Sequence, residues 1–398
     1  MKILFVAPPP YLPNRLHRNR SFDLIKILSK KHEAHLLLVT THKKEPKEFK
    51  EIKKVCKSIK IIYLNPIEAI LNCLRFPFLP AEVAYCYSRE ATKEIQNEVK
   101  RKNIDLIYLK RLRSAIYLPL NNDTDSITPI PVVIDTTDAM SMFYNRLYKN
   151  SNYPKKIIYK LEEVKYRTFE KKTMEKIKNW IVCSPIDQKY LQKLEIPINI
   201  YVVPNPVDTE YFSFVPKLEY HNALLFRGLM NKPVNIDAVC FFVEKIFPNV
   251  EKKIKNIKLY IVGPKPHKAI KKYNNGKNIF VTGFVKDIRK YITETDLSIC
   301  PVRIASGTRF KILHAWAMGK PVVSTTVGAE GLLYKKNKNI AIADNPKEFA
   351  KQIINLLKNK KHYDTLAENG RETIVREYSF KVIAQKLETV IQDVKITK

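Results

Sequence analysis

The feature that most constrains the fold is a strand–turn–helix–strand unit in the last third of the chain. The apolar run Leu297–Cys300 predicts a strand, and a turn of small residues follows at 306–308. A helix is predicted over Arg309–Met318, Gly319 stands where helices commonly end, and Pro321–Ser324 predicts the next strand. Together these elements form a βαβ unit, the building block of parallel sheets.

Basic residues crowd the turn of this unit. Arg303, Arg309 and Lys311 lie beside the predicted helix N-terminus, whose free N–H groups carry partial positive charge. The combination suits a diphosphate. The turn residues that would supply backbone N–H groups are Ser306, Gly307 and Thr308. A structural βαβ unit whose basic residues face water remains open on this pattern alone.

The segment from Pro301 to Leu332 resembles the signature of the nucleotide-sugar glycosyltransferases with the GT-B fold, glycosyltransferase family 4. It is similar to the sugar transferases associated with PEP-CTERM exopolysaccharide systems. The resemblance implies an α/β fold of two Rossmann-like, doubly wound parallel-sheet domains facing a cleft. It implies an acceptor-side domain at 1–205, a donor domain at 206–378, and a helix at 379–398 that packs back on the first domain.

Length and composition fit such a protein. The chain has 398 residues, more than one core usually holds, and 45% of them are hydrophobic. No apolar run approaches the roughly 18 residues that span a bilayer. The six cysteines are scattered without a CxxC pair, so neither a disulfide framework nor a zinc site is indicated. The resemblance implies a reaction that needs no metal and no cofactor, with a nucleotide-sugar donor as substrate, and the lack of a metal-ligand cluster agrees with it.

The formal net charge of +32 requires a partner or a solvated, lysine-rich surface. Nucleic acid is one candidate, but no specific nucleic-acid-binding signature is present. An anionic membrane surface is favoured, because each nearby Lys or Arg contributes about 1 kcal/mol to such binding. The expected location is cytoplasmic, peripheral on the inner face of the plasma membrane.

The rest of the chain repeats the strand–helix alternation. The first strand is predicted at Lys2–Ala7 and a helix near Ser21–Lys31, with another helix at Arg89–Lys102. Further strands are predicted at Ala34–Val39, Ile59–Leu64, Asp105–Leu109, Pro131–Asp135, Trp180–Ser184, Ala223–Phe226, Lys258–Val262, Ile279–Thr282 and Ile340–Ala343. Trp180–Ser184 is predicted to close the first domain, and Tyr201–Phe212 is similar to the family's hinge segment.

The loop after the first strand lies at the edge where open α/β sheets bind ligands. All nine glycines of the chain fall at or after Gly228, so close backbone approach to a phosphate is not expected in this loop. Side chains could contact an acceptor instead, and a solvated loop is the alternative. The candidate acceptor-side residues are Arg15, His17, Arg18 and Arg20.

Two carboxylates follow the strand Pro131–Asp135. Asp135 and Asp138 could hydrogen-bond sugar hydroxyls or take the acceptor's proton, and we assign them as catalytic candidates together with Arg303 and Lys311. Helix capping by Thr137 or Asp138 is the alternative.

Two other segments of the first domain can be explained by a structural role alone. Pro66–Ser88 is apolar and aromatic; a core segment is favoured over an acceptor-facing or membrane-facing surface. Tyr153–Asn179 predicts a long charged helix, in which glutamates alternate with lysines on a solvated face.

The donor domain departs from the family pattern at several places. Leu229 and Val234 stand where many members carry the two basic residues that grip the diphosphate, and His314 stands where the family has a ribose-binding glutamate. A neutral His can make one such hydrogen bond but cannot supply two carboxylate acceptors. The donor-binding residues implied by the resemblance are Arg227, Gly228, Ser306, Gly307, Thr308, Arg309, His314 and Glu330.

The resemblance implies transfer of a sugar from a nucleotide-sugar to a glycan or lipid-linked acceptor, with retained anomeric configuration, in exopolysaccharide biosynthesis. Two other classes stay open: an epimerase or phosphorylase on the same fold, and a catalytically degenerate membrane-associated protein. The sequence names neither the sugar, the nucleotide nor the acceptor.

Overall fold

The computed structural model of the chain describes residues 1–8, 20–42, 49–118, 130–216, 221–304 and 307–396. The chain divides into two compact units. Unit 1 comprises Met1–Pro204 and Ile383–Lys398, and unit 2 comprises Asn205–Val382.

Unit 1 is built on a seven-stranded sheet in which every neighbouring pair of strands is parallel. Its strands are β1 (Lys2–Ala7), β2 (Glu33–Thr40), β3 (Ser58–Tyr63), β4 (Leu106–Lys110), β5 (Val132–Thr137), β6 (Asn179–Val182) and β7 (Asn199–Val202). The order across the sheet is β3-β2-β1-β4-β5-β6-β7. Five of the six residues of β1 are fully buried, as expected of a strand covered on both faces.

The helices of unit 1 connect these strands. They are α1 (Arg20–Leu28), α2 (Phe49–Lys53), α3 (Pro66–Arg75), α4 (Ala81–Tyr85), α5 (Arg89–Lys102), α6 (Met140–Lys149), α7 (Lys155–Lys176) and α8 (Pro185–Gln192), with a 3-10 helix at Leu112–Tyr117.

Unit 2 is built on a six-stranded parallel sheet. Its strands are β8 (Ala223–Arg227), β9 (Lys258–Val262), β10 (Ile279–Gly283), β11 (Leu297–Cys300), β12 (Val322–Ser324) and β13 (Ala341–Ile342). The order is β10-β9-β8-β11-β12-β13. The βαβ unit predicted at 297–324 is confirmed, because β11 pairs in parallel with β12.

The helices of unit 2 complete the chain. They are α9 (Pro233–Phe241), α10 (Phe247–Glu251), α11 (Lys268–Lys271), α12 (Ile288–Glu294), α13 (Phe310–Ala317), α14 (Thr326–Ala329), α15 (Pro346–Lys358), α16 (Lys360–Glu377) and α17 (Phe380–Ile396), with a π-helical turn at Phe242–Ile246. From Ile383 onward α17 belongs to unit 1, where Glu388 lies 3.0 Å from the Nε2 atom of His32. Within the described ranges, no helix has the length and apolarity needed to cross a membrane.

Three expectations about unit 1 were wrong. The sheet does not close at Trp180–Ser184, because β7 pairs alongside β6. The segment Pro66–Ser88 does not lie entirely in the core, since most large apolar side chains of α3 are exposed. The glutamates of α7 do not share one solvated face, since Glu162, Glu163 and Glu170 are buried.

Candidate functional site

The strand order of the unit 2 sheet reverses between β8 and β11. From β8 the chain builds outward through β9 and β10, and from β11 it builds the other way through β12 and β13. Ligands of open parallel sheets bind outside the carboxyl ends of the strands at such a switch point. Arg227 is the last residue of β8, and the turn that follows β11 leads into α13.

Lys311 lies in the first turn of α13 and is held between two elements at this edge. Its Nζ atom donates to the side-chain oxygen of Asn235, at 3.0 Å, and lies 3.9 Å from the centre of the Phe226 ring. Burial lowers the pKa of Lys311 to about 8, and the positive charges of Arg227 and Arg309 act in the same direction.

Arg227 is a second buried cation at the same edge, only 6% exposed. Its Nη2 atom donates to the Phe310 carbonyl at 2.7 Å, whereas its Nε atom finds no acceptor among the described residues. Burial lowers the pKa of Arg227 to about 10. Within the described ranges neither Arg227 nor Lys311 is paired with a carboxylate, so this edge holds uncompensated positive charge.

The turn before α13 has the backbone that its glycine permits. Gly307 adopts a φ of 64°, a left-handed conformation that glycine takes without strain. Thr308 accepts a hydrogen bond from the side-chain amide of Asn205, at 2.6 Å, and Arg309 donates to the Gly307 carbonyl. Among the described residues, no side chain caps the first turn of α13. Ser306 lies outside the described residues.

Arg303 differs from the other predicted cations because it is already paired. It makes a two-point ion pair with Asp237 of α9, with Nε 3.0 Å from Oδ2, and its guanidinium lies 4.4 Å from the centre of the Phe241 ring. About half of its side chain is exposed. The Asp237 carboxylate therefore offsets the charge that Arg303 was predicted to offer a diphosphate.

His314 follows Lys311 by three residues on α13 and is buried. Its ring stacks on Phe212, with ring centres 3.9 Å apart, and it contacts Phe310 at 5.4 Å. The imidazole therefore packs against both aromatic rings. Glu330 directly follows α14 and is half-buried.

Gly228 and Gly263 let two loops meet at the same edge. A Cβ atom on Gly263 would lie 1.7 Å from the Gly228 carbonyl oxygen, so only glycine fits there. Gly228 itself lies against the Asn235 side chain, which in turn holds Lys311.

The corresponding region of unit 1 contains a compensated cluster. Asp135 is fully buried and accepts hydrogen bonds from Arg20 Nε at 3.0 Å, Lys110 Nζ at 2.6 Å and the Tyr108 hydroxyl at 3.2 Å. Burial alone would raise the pKa of Asp135, but Arg20 and Lys110 outweigh burial and hold it well below its usual range. Asp135 therefore acts as a buried counter-ion and has no exposed oxygen to meet a sugar.

Arg20, predicted in the acceptor-side loop, begins α1 and belongs to this buried cluster. Its Nη1 atom also donates to the Pro204 carbonyl at 2.9 Å. The other residues predicted for that loop, namely Arg15, His17 and Arg18, lie outside the described residues.

Asp138 lies just before α6 in a group of carboxylates. Ala139, at the cap position of α6, has no capping side chain, and its N–H donates to Asp187 at 2.9 Å. Glu170 accepts from the N–H groups of Met140 and Ser141. Carboxylates from α7 and α8 thus cap this helix, and the alternative prediction, capping by Thr137 or Asp138, was wrong in the residues it named.

Burial shifts the pKa values of these capping carboxylates. It raises the pKa of Glu170 to about 7, and it raises the pKa of Asp187, with a further contribution from the Asp138 charge. The side-chain ligand atoms of Asp138, Cys183 and Asp187 lie within 4.8 Å of one another. Both Asp187 oxygens accept hydrogen bonds, one from the Ala139 N–H and one from the Ser184 hydroxyl, so the Asp187 carboxylate acts as a structural cap.

Two residues important to these clusters were not predicted. Asn235, which accepts a hydrogen bond from Lys311, lies in the first turn of α9. Lys110 is the last residue of the apolar strand β4. A lysine as the last residue of a buried strand could have indicated a buried ion pair, because buried lysines are rare unless they are paired.

Comparison with known proteins gives matches to the second unit and to the whole architecture. The family model "Glycosyl transferases group 1" matches residues 221–359, about a third of the chain. A curated protein of Klebsiella pneumoniae, described as an uncharacterized 44.6 kDa protein in the cps region, is 25% identical, with 96% of this chain and 97% of that protein covered.

Solved structures share the architecture at low sequence identity. HepE of Anabaena in complex with UDP has a TM-score of 0.69 at 13% identity, covering 99% of this chain and 100% of that one. Sucrose-phosphate synthase of Thermosynechococcus elongatus has a TM-score of 0.70 at 14% identity, with both chains fully covered. The predicted fold class, GT-B with two parallel-sheet α/β domains, is confirmed.

Proposed function

We propose that this protein is a glycosyltransferase that moves a sugar from a nucleoside-diphosphate sugar to a glycan or a lipid-linked saccharide. The observation that carries the proposal is the pair of buried cations Arg227 and Lys311 at the switch point of unit 2. A buried positive charge without a counter-ion is costly, and an arriving diphosphate would relieve that cost. The match of this unit to the glycosyltransferase family model supports the same assignment.

The geometry supports a division of labour in the site. Lys311 and Arg227 would contact the diphosphate oxygens, and the N-terminus of α13 would add backbone N–H groups. Because negative charge grows on the diphosphate as the bond to the sugar breaks, fixed positive charges at this place stabilise the transition state. Thr308 and Arg309 border the same turn, and His314 and Glu330 would lie toward the nucleoside.

The reaction we propose retains the anomeric configuration and needs no metal ion, since Lys311 and Arg227 supply the positive charge. The acceptor hydroxyl attacks the anomeric carbon on the face from which the diphosphate leaves. Its proton passes to a diphosphate oxygen, so no protein base is required. The products are the glycosylated acceptor and a nucleoside diphosphate.

The relatives give direction to the choice of substrate. HepE is solved with UDP and with UDP-glucose, which favours UDP as the first nucleotide to test. The Klebsiella relative lies in a cps region, which favours a role in building a surface or exopolysaccharide. We place the protein on the cytoplasmic side, peripheral to the inner face of the plasma membrane.

The experiment is a thermal-shift titration with UDP, GDP, ADP and UMP. We expect a saturable rise in melting temperature with one nucleoside diphosphate, equivalent to about 2.7 kcal/mol at a hundredfold excess over the dissociation constant. Lys311→Gln should abolish the shift. Lys320→Gln is the matched control, because Lys320 is a buried lysine just beyond the other end of α13 and donates to the Thr293 carbonyl.

A measurement of the sugar-transfer rate is the second test of the proposed function. Once the donor is known, Lys311→Ala should lower the rate by about a hundredfold, the scale of removing one preorganised charge partner. A decrease under about threefold would contradict the role of Lys311. Absence of any nucleotide-dependent shift in the unmodified protein would contradict the proposed donor site as a whole.

A further inference from the structure

Helix α3 carries its apolar side chains on the outside. Ile67, Ile70, Leu71 and Leu74 are 55–75% exposed, and their spacing places them on a single face. The opposite face is buried through Ala69 and Asn72, whose side-chain amide donates to the Tyr87 carbonyl. A helix on a water-facing surface normally shows the reverse pattern.

The first half of α7 is inverted in the same way. Ile157, Leu161 and Val164 lie at i, i+4 and i+7 and are 50–56% exposed, with Ile158 beside them at 56%. The buried side of this stretch instead contains Glu162 and Glu163. Two helices of one unit therefore direct aliphatic groups outward, and α7 also buries carboxylates.

Ala81 of α4 bridges the two inverted helices. The N–H of Ala81 donates to Glu162 of α7 at 3.1 Å, and the Cys73 thiol of α3 donates to the Ala81 carbonyl at 3.5 Å. Burial raises the pKa of the Cys73 thiol. The nearby charge of Glu162 raises it further, and that of Lys165 lowers it. The exposed aliphatic side chains thus belong to two helices that are linked through Ala81.

These side chains, with Phe78 and Tyr153, form a group that we call the aliphatic face. Its members are Ile67, Ile70, Leu71, Leu74, Phe78, Tyr153, Ile157, Ile158, Leu161 and Val164. They are ten of the fifteen large apolar side chains found exposed within the described residues, although they come from two short stretches of sequence. Exposed apolar residues on a soluble surface are usually scattered, so this concentration indicates a binding surface.

The charges around the aliphatic face identify its partner. Lys155, Lys160, Arg167, Lys171 and Lys172 are exposed on α7, where Glu175 is the one exposed acidic residue. On α3, exposed Arg75 offsets exposed Glu68. A surface of aliphatic groups bordered by lysines complements an interface that is apolar within and anionic at its surface. A second copy of the chain is disfavoured, because each copy carries +32.

We propose that the aliphatic face seats this protein on an anionic lipid bilayer. The isoleucines and leucines of α3 and α7 enter the boundary between headgroups and acyl chains, while the lysines contact lipid phosphates. Phe78 inserts beside them, and Tyr153 sits with its hydroxyl at the polar level. This inference does not depend on sugar transfer, because it uses none of the residues of the candidate donor site.

Vesicle flotation with the full-length protein tests the proposal. Vesicles of phosphatidylcholine with one-third phosphatidylglycerol should carry the protein to the top of the gradient, and phosphatidylcholine alone should bind at least about tenfold less. Leu74→Asp combined with Leu161→Asp places one charge on each inverted helix and should lower partitioning at least about tenfold. The matched control is Phe284→Asp with Val375→Asp, two exposed apolar residues of unit 2 outside the face.

Several results would overturn the proposal. The first is equal partitioning of the unmodified protein and the Leu74→Asp, Leu161→Asp variant, and the second is equal loss in the control variant. The third is a lipid-free dimer that becomes monomeric in that variant, which would assign the face to a second copy. The UDP thermal shift serves as an independent folding check: a variant that loses vesicle binding but keeps the shift separates failure of this surface from failure of the donor site.

Discussion

Both sheets place basic residues where their strand order reverses, but the two regions are in opposite electrostatic states. In unit 1, Lys110 ends β4, beside β1, and together with Arg20 it holds the buried carboxylate of Asp135. In unit 2, Arg227 and Lys311 lie between β8 and α13, and their hydrogen-bond partners in the described part of the chain are neutral, namely the Phe310 carbonyl and Asn235. The first region has its counter-ion within the fold, whereas the second has no carboxylate partner among the residues that the structure describes.

A structural cluster and a binding site can contain the same residue types, and the presence of a buried carboxylate beside the cations distinguishes the first from the second. A buried carboxylate that holds two cations stabilises its own neighbourhood, and its removal leaves them unpaired. Buried cations without a carboxylate instead lower the stability of the free protein and are retained only if something else uses them. The two units should therefore respond oppositely to loss of a charge.

The largest expected effect is on unit 1. Asp135→Asn leaves Arg20 and Lys110 buried without their carboxylate, and we expect a loss of about 3–5 kcal/mol in the free energy of unfolding. Urea denaturation measures it. Asp105→Asn is the control, because Asp105 precedes β4 on the exposed surface of the same sheet. Unchanged stability with lost turnover would instead make Asp135 a catalytic residue.

In unit 2 the corresponding change should act on binding and not on stability. Lys311→Met removes a buried charge, and we expect the melting temperature of the free protein to rise by about 2–4 °C, the effect of about 1 kcal/mol in a domain of this size. Nucleotide binding should be lost in the same variant. A fall in melting temperature would show that Lys311 is compensated after all and would break the contrast between the two units.

The pH dependence of nucleotide affinity and of protein stability also tests whether Lys311 lacks a counter-ion. Because burial lowers the pKa of Lys311 to about 8 in the folded protein, the lysine is charged below that pH and neutral above it. Nucleotide affinity should be constant between about pH 7 and pH 8, where the terminal phosphate is fully ionised, and fall about tenfold per pH unit above that range. Protein stability should change with the opposite sign and rise between about pH 8 and the unfolded pKa near 10.4, since the unfolded chain binds more protons there.

Lys311→Arg is the matched control for the pH series, because a guanidinium stays charged throughout. Calorimetric titration of UDP between about pH 7 and pH 9.5 should show the fall in affinity for the unmodified protein and a flat profile for Lys311→Arg. A fall of equal size in both proteins would assign the titration to another group.

Much of the fold could be predicted from the sequence because parallel strands covered on both faces leave continuous apolar runs. The strands at Lys2–Ala7, Lys258–Val262 and Leu297–Cys300 have the predicted bounds. β7 was missed because Asn199–Val202 is a short edge strand without a buried run. Local periodicity does not show which face of a helix meets the core, so α3 and α7 were misjudged.

The candidate site was predictable in part. The turn of α13 and its basic residues follow from local sequence, whereas the partners that decide their chemistry come from distant positions. Asn235 reaches Lys311 and Asp237 reaches Arg303, across 76 and 66 residues. Only the folded chain shows that one of these cations is offset by a carboxylate and the other is not.

The smallest expected effect follows from that last distinction. Arg303→Ala removes a cation already neutralised by Asp237, so turnover should fall by less than about threefold, far less than for Lys311→Ala. The variant also frees Asp237, and Arg303→Ala with Asp237→Ala controls for the released negative charge. If Arg303→Ala lowers turnover by about a hundredfold, as removal of a direct charge partner would, then Arg303 exchanges Asp237 for the diphosphate when the donor binds. That result would move Arg303 from the edge of the site into direct contact with the leaving group.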